Sequence, residues 1–502
     1  MNCRNIARIS LCCLLIACWA AIAGAAVKLP AVISNDMVLQ RGQPVPIWGW
    51  ADKGEEVTVS FAGQTLTTKA NDEGRWKVVL DKLEVTKPAG TIVKESAEGH
   101  DVTMQWRLPA LEMIVKGSSG NTITLKNILV GEVWVCSGQS NMQLSVNVCK
   151  DAQREIAAAK YPLIRLFTVV QKKAGEPQTD CVGNWTPCDP ASVANFSAAA
   201  YFFGRQLYKE LNVPIGLIHT SWGGTPAEFW TSRKVLEANP ALKSLAQGES
   251  SCLYNGMIAP LIPYAIRGAI WYQGEANVCG AYQYRTLFPA MIANWRADWG
   301  QGDFPFGFVQ IAPFSYEDAW KANPVCCAEL WEAQSMTLKS SPNTGMVVTV
   351  DIADAEKIHP KNGDLSGIHP TNKQDVGRRL ALWAMAKVYG KKDLVYSGPI
   401  YKSMAVEGNA IRLRFDHVGG GLIASDGKPL VDFIIAGEDQ KFLPATATID
   451  GDSIVVHANQ VAQPVAVRFA WREDATPNLA NKEGLPASPF RTDTWRGVTE
   501  LK

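Results

Sequence analysis

Three short runs of residues, each placed where an apolar strand-like stretch gives way to a turn, carry the groups that acyl transfer needs. Cys136-Ser137-Gly138-Gln139-Ser140-Asn141-Met142 follows the apolar run 129–135. A serine at such a strand-to-helix turn exposes its hydroxyl and aims its backbone N–H at a reacting carbonyl. The same residue type also suits a plain helix N-cap. Met142 stands where the nucleophile elbow of the α/β-hydrolases has its second glycine, so that motif is excluded. Thr220-Ser221-Trp222-Gly223-Gly224-Thr225-Pro226 follows the run 214–219, and its paired glycines let a backbone N–H approach a ligand closely. Tyr272-Gln273-Gly274-Glu275-Ala276-Asn277 closes a third run, and the Gln273 amide there is a candidate donor to an oxyanion. Each signal is weak alone; their coincidence at successive strand ends is what points to a serine nucleophile.

Such a nucleophile needs a base. His100 belongs to an N-terminal β-like segment, His417 and His457 to a C-terminal one, and His219 is embedded in a strand-like run. His359 and His369 remain, in the near-repeat Ile358-His359-Pro360 and Ile368-His369-Pro370. Only the second leads into a helical pattern, with Val376, Leu380 and Trp383 at helical spacing, so His369 is the better-placed base. What orients it stays open among three choices. Asp364 on the same loop comes first, Glu275 second, and a backbone carbonyl third, which would leave a Ser-His dyad.

The elements that must hold these groups follow from the hydrophobic rhythm. Between about 128 and 395, short apolar runs alternate with glycine turns and helix-like patterns, which predicts a parallel α/β sheet covered on both faces. Ligands bind at the carboxyl ends of such strands. Residues 26–127 instead alternate with period two between Gly and Asp-Glu-Gly turns and predict a small β-sandwich; a second β-rich segment runs over 396–502.

Composition narrows the class. With 49 Lys+Arg against 48 Asp+Glu, the 502-residue chain lacks the basic excess that a nucleic-acid partner requires. Hydrophobic content of 47% against 19% charged residues excludes disorder as the main state. Residues 1–25 read as a signal peptide, with Arg4 and Arg8 ahead of an apolar run and Ala23-Gly24-Ala25 as a cleavage pattern, so the mature protein is expected outside the cytoplasm, secreted or periplasmic. A membrane anchor is the first competing reading, though the run falls short of the roughly 20 residues a span needs, and Leu15-Ile16-Ala17-Cys18 as a lipoprotein signal is the second. No later stretch is long and apolar enough to span a bilayer. Eight cysteines lie beyond the leader, all between 136 and 327, where an oxidising compartment would favour disulfides. No CxxC pair occurs, and no metal or cofactor is expected.

Four blocks together resemble one family. Gly131-Glu-Val-Trp-Val-Cys-Ser-Gly-Gln-Ser-Asn-Met142, Ser221-Trp-Gly-Gly-Thr-Pro226, Trp271-Tyr-Gln-Gly-Glu-Ala-Asn277 and Ile368-His-Pro-Thr-Asn-Lys-Gln-Asp-Val-Gly377 are similar to the sialate O-acetylesterase family of SGNH (GDSL-like) hydrolases, and the likeness extends to Gly484–Asp493. The resemblance implies a three-layer α/β/α sandwich and removal of O-acetyl groups from sugar hydroxyls. It makes Ser140 the nucleophile and His369 the base, with an oxyanion hole from the N–H groups of Ser140 and Gly223 or Gly224 and the Gln273 amide. Glu275, Asn277, Trp222 and Trp271 become candidate substrate contacts. Two departures stand out. Gly367 and Ser366 occupy positions where related enzymes place an aspartate, and roughly 83–107 read as extra residues. Acetylxylan and other plant polysaccharides are as compatible as sialic acid with a neutral chain. The rival class is a carbohydrate-binding protein in which Trp222, Trp230 and Trp271 stack on sugars without catalysis.

Overall fold

The computed structural model describes residues 26–85 and 111–500. The expected leader, and most of the stretch read as extra, lie outside the described residues. The organising element is one strand of 17 residues, β1 (Thr122–Gly138). Its first half pairs antiparallel with Leu111–Gly117, and its second half is the middle of a parallel sheet. That sheet continues with β2 (Tyr161–Thr168), β3 (Trp185–Cys188), β4 (Ile215–Ser221), β5 (Gly268–Tyr272), β6 (Phe306–Val309) and β7 (Thr344–Val347), in the spatial order β7-β6-β5-β1-β4-β2-β3. Neighbours are parallel except β3, which runs antiparallel to β2. Every residue of β4 and β5 is buried, as expected of strands covered on both faces.

Four main helices supply the cover: α2 (Ala198–Leu211), α3 (Ala281–Trp299), α4 (Cys326–Ser340) and α5 (Lys373–Lys387); a short helix of one turn, α1 (Ser140–Gln143), directly follows β1. Side-chain alternation along β6 shows how the layers separate. Phe306 and Phe308 meet Phe288 of α3, with the Phe288 and Phe308 rings 5.1 Å apart. Gly307, pointing the other way, leaves room for Trp383 of α5; a Cβ there would lie 2.5 Å from its ring. Helices α2 and α5 pack together on that side and α3 with α4 on the other, giving the α/β/α sandwich.

Before β1, Val45–Trp50 pairs with Arg75–Leu80, and Glu56–Phe61 with Gln64–Lys69 and Leu111–Gly117, all antiparallel. Their buried residues belong to the same hydrophobic cluster as the central sheet. The strands after 396 form two four-stranded antiparallel sheets and one two-stranded antiparallel pair, Leu422–Ala424 with Leu479–Asn481, with a separate cluster that includes Ile411, Leu413, Val456 and Phe469. All eight described cysteines are unpaired, and only Cys279 is exposed. No helix among the described residues is long and apolar enough to cross a membrane.

Chain order puts a topological switch at the carboxyl end of β1. The chain leaves β1 for β2 and β4 on one side and reaches β5, β6 and β7 on the other. A crevice opens between β4 and β5 where the direction reverses, the place where open α/β sheets bind ligands.

Candidate active site

Gly138 ends β1 with φ +141°, and a Cβ there would lie 2.1 Å from the Tyr272 carbonyl, so only glycine lets β1 and β5 close at this point. The Gln139 N–H then donates to that same carbonyl at 3.0 Å, and Ser140 opens α1. As the first helical residue, Ser140 has an N–H with no intrahelical acceptor.

His369 follows the turn Ser366–Ile368 and precedes α5, whose start is capped by the Asn372 side chain accepting from the Asp375 N–H. Its Nε2 lies 2.8 Å from Ser140 Oγ. The neighbours of these two residues fasten the loops together, since Asn141 Nδ2 donates to the Ile368 carbonyl at 2.9 Å. Burial, aided by the nearby Lys373 ammonium, pulls His369 down to about 4, so the ring is neutral near pH 7, as a general base must be.

Beneath the pair lies a buried polar chain. Asn141 Nδ2 also donates to Glu275 Oε1 at 2.5 Å, and its Oδ1 accepts from Lys373 Nζ at 2.6 Å. Burial raises the Glu275 carboxyl, opposed by Asn141 and Lys373. Burial lowers Lys373 to about 7.

Ser140 and His369 line a cavity of about 480 Å³ together with Gln139, Gly223, Gly224 and Glu275. Its remaining wall is mostly apolar and includes Tyr316, Trp320 and Leu365.

Several expected partners stand elsewhere. Asp364 is exposed, and its carboxylate accepts from the N–H and hydroxyl of Ser366 rather than from the imidazole; starting that tight turn uses both its oxygens. Glu275 is close but bonds Asn141. Among the described residues, the His369 ring makes no hydrogen bond other than that to Ser140. Gln273 is fully buried and faces away from the cavity: its Nε2 donates to the Thr225 carbonyl and Asn277 Oδ1, and its Oε1 accepts from the Tyr284 hydroxyl. Asn277 in turn accepts from the Ala227 N–H and donates to Glu228, so both amides brace the glycine turn from behind. The Gly223 N–H does face the site, where it donates to Gln143 Oε1 at 2.7 Å. Trp271 and Trp230 are core residues without exposure, packed edge to face on each other, and cannot stack on a sugar. Trp222 is half-buried under the Lys173 ammonium and does not line the cavity.

Sequence reasoning passed over Asn141 and Lys373, although both stand inside the quoted blocks, and over Gln139, whose Oε1 accepts from the Ala276 N–H at 3.2 Å. It also passed over Trp320, for which no local pattern gave a signal.

A three-layer sandwich with a serine and a histidine joined at its switch point defines the fold as that of the SGNH-like hydrolases. The family model described as carbohydrate esterase, sialic acid-specific acetylesterase, matches residues 130–381, and the chain belongs to this family and is an esterase. Sialate O-acetylesterases of Rattus norvegicus and Homo sapiens are each 30% identical to it, over 95% and 93% of this chain and 96% and 93% of theirs. The crystal structure of a carbohydrate acetylesterase from Xanthomonas citri superposes with a TM-score of 0.81 at 38% identity, covering 93% of this chain and all of the other.

Proposed function

We propose that the protein removes O-acetyl groups from carbohydrate, with Ser140 as nucleophile and His369 as general base. The observation that carries this is the 2.8 Å hydrogen bond between them at the sheet's switch point. Ser140 Oγ attacks the acetyl carbonyl and its proton passes to His369 Nε2. The tetrahedral oxyanion is met by the N–H groups of Ser140 and Gly223, the latter released by Gln143. As the ester C–O bond breaks, His369 returns the proton to the departing sugar oxygen. Water, deprotonated by the same histidine, then releases acetate from the serine.

Among the described residues lining the cavity none is Lys or Arg, and Glu275 is the acid among them. A sialate carboxylate would find no cation there, which favours uncharged acetylated sugars such as those of plant polysaccharides. A purely binding role has no use for a serine held against a neutral imidazole. In this reading residues 128–395 carry the chemistry between the β regions 26–127 and 396–502, and the leader directs the chain out of the cytoplasm.

Acetate release from acetylxylan, O-acetylated sialic acid and a synthetic aryl acetate tests the proposal. Ser140→Ala should lose at least about 10³-fold in turnover on every substrate that the parent cleaves. Near-parental release by that variant would end the serine reading.

A further inference from the structure

We propose that the short helix Tyr316–Trp320 forms a sugar-binding subsite of the esterase cavity and that Glu473, from the C-terminal β-rich region, positions it. The proposal rests on the esterase reading above and adds the uncharged sugar unit next to the acetylated one as its ligand.

Trp320 is 53% exposed and Leu365 37%, and both line the cavity that holds Ser140 and His369. Large apolar side chains left together in solvent at a pocket mouth mark a ligand contact. The indole is backed by the Phe314 and Tyr316 rings, with centroids 6.0 and 5.7 Å away, so its position is fixed while it stays open to solvent. A flat indole suits the apolar C–H face of a neutral sugar ring. Tyr316 lines the same cavity beside Trp320.

A five-residue helix does not hold itself in place; its geometry must come from tertiary contacts. Glu473 provides them at both ends of the segment. The Phe314 N–H donates to the Glu473 carbonyl at 2.8 Å, and the Glu473 N–H donates to the Pro324 carbonyl at 3.0 Å. Its side-chain Oε1 accepts from Ser315 Oγ and from the Glu317 N–H, both at 2.9 Å, which satisfies the start of the helix. A second tie runs through His359, whose Nδ1 lies 2.7 Å from Asp318 Oδ2 and whose Nε2 lies 3.5 Å from Asp474 Oδ2. The C-terminal strands have their own hydrophobic cluster, yet their 471–475 loop reaches over to shape the wall of the cavity.

The readout is the ratio of kcat/KM for an acetylated neutral oligosaccharide to kcat/KM for a synthetic aryl acetate, measured on the full chain. Trp320→Ala should lower this ratio tenfold or more, and Trp320→Tyr should recover most of it. Glu473→Ala should lower it in the same way through KM for the oligosaccharide, and Glu473→Gln, which keeps an acceptor oxygen, should restore it. An unchanged ratio in Trp320→Ala overturns the subsite. An unchanged ratio in Glu473→Ala, or no rescue by Gln, overturns the positioning role. Should Glu473→Ala fail to fold, Ser315→Ala, which removes a side-chain donor to Glu473 Oε1, reads the same tether, and an unchanged ratio there overturns it equally. Ser140→Ala separates the two proposals: it removes activity on both substrates if the esterase reading holds and spares both if that reading fails.

Discussion

Lys373 Nζ donates to the carbonyl of Pro370 at 2.7 Å, which fastens a buried ammonium to the residue that follows His369. In a Ser-His-Asp triad the third group stabilises the imidazolium. Here the charged neighbour on the histidine loop is a cation, and it acts in the opposite direction.

The consequence is a pH profile. His369 is held near 4 by burial and by Lys373, so kcat/KM should stay level as pH falls through 6.5 and decline only towards 4. Lys373→Met removes one of the two causes and leaves burial, so the acidic limb should move upward, towards 6.5. A parental limb centred at 6.5, or a downward shift in the variant, would contradict this assignment. Because the native pKa lies below the unfolded one, the same group contributes stability above about pH 6.5 that is lost as pH falls towards 4.

His369 and His359 should rank far apart. His369→Ala removes the only side chain hydrogen-bonded to Ser140 Oγ among the described residues and should be nearly inactive on a synthetic acetate, whereas His359→Ala, lacking an exposed contact to Asp318, should lose much less. Turnover of the two variants side by side decides it.

Asp364→Asn should keep turnover within a few-fold, since its carboxylate serves only the Ser366 turn. Glu275→Gln strips the counter-charge from Lys373 and weakens the bond from Asn141. A destabilisation of about 1.5–3 kcal/mol is expected, the usual worth of a hydrogen bond to a charged group, and urea denaturation would show it. A loss of about 10⁴-fold in Asp364→Asn would restore it as the orienting acid.

Gln273→Ala should act on stability before rate. Three buried groups lose a partner at once, which costs roughly 2–4 kcal/mol of unfolding free energy, read from denaturation. An oxyanion donor would instead show as about 10²–10³-fold in kcat for the folded enzyme.

How far the sequence carries depends on what kind of information each residue needs. Ser140 and His369 were legible because polar groups that punctuate apolar runs must sit at strand ends, and because helical spacing after residue 372 separated two otherwise equal histidines. Gln273 was misread because proximity to a strand end does not say which way a side chain points. The same ambiguity hid the fate of Trp271, whose strand is covered on both faces. Trp320 and Glu473 left no local trace at all, since their relation spans more than 150 residues of sequence and exists only after folding. The change of rhythm near 127/128 is real, yet it falls within β1. The burial pattern there turns from alternating to continuous as the strand passes from a sheet covered on one face into one covered on both.

That shared strand has a consequence for how the molecule can be taken apart. A chain begun at residue 128 would lack the first six residues of β1 and, with them, the antiparallel partners that hold the segment delivering Ser140. Since the N-terminal strands and the central sheet also share one hydrophobic cluster, heat or urea should melt them as a single cooperative unit, and a protease cut at Asn127 should inactivate the enzyme without touching any residue of the cavity.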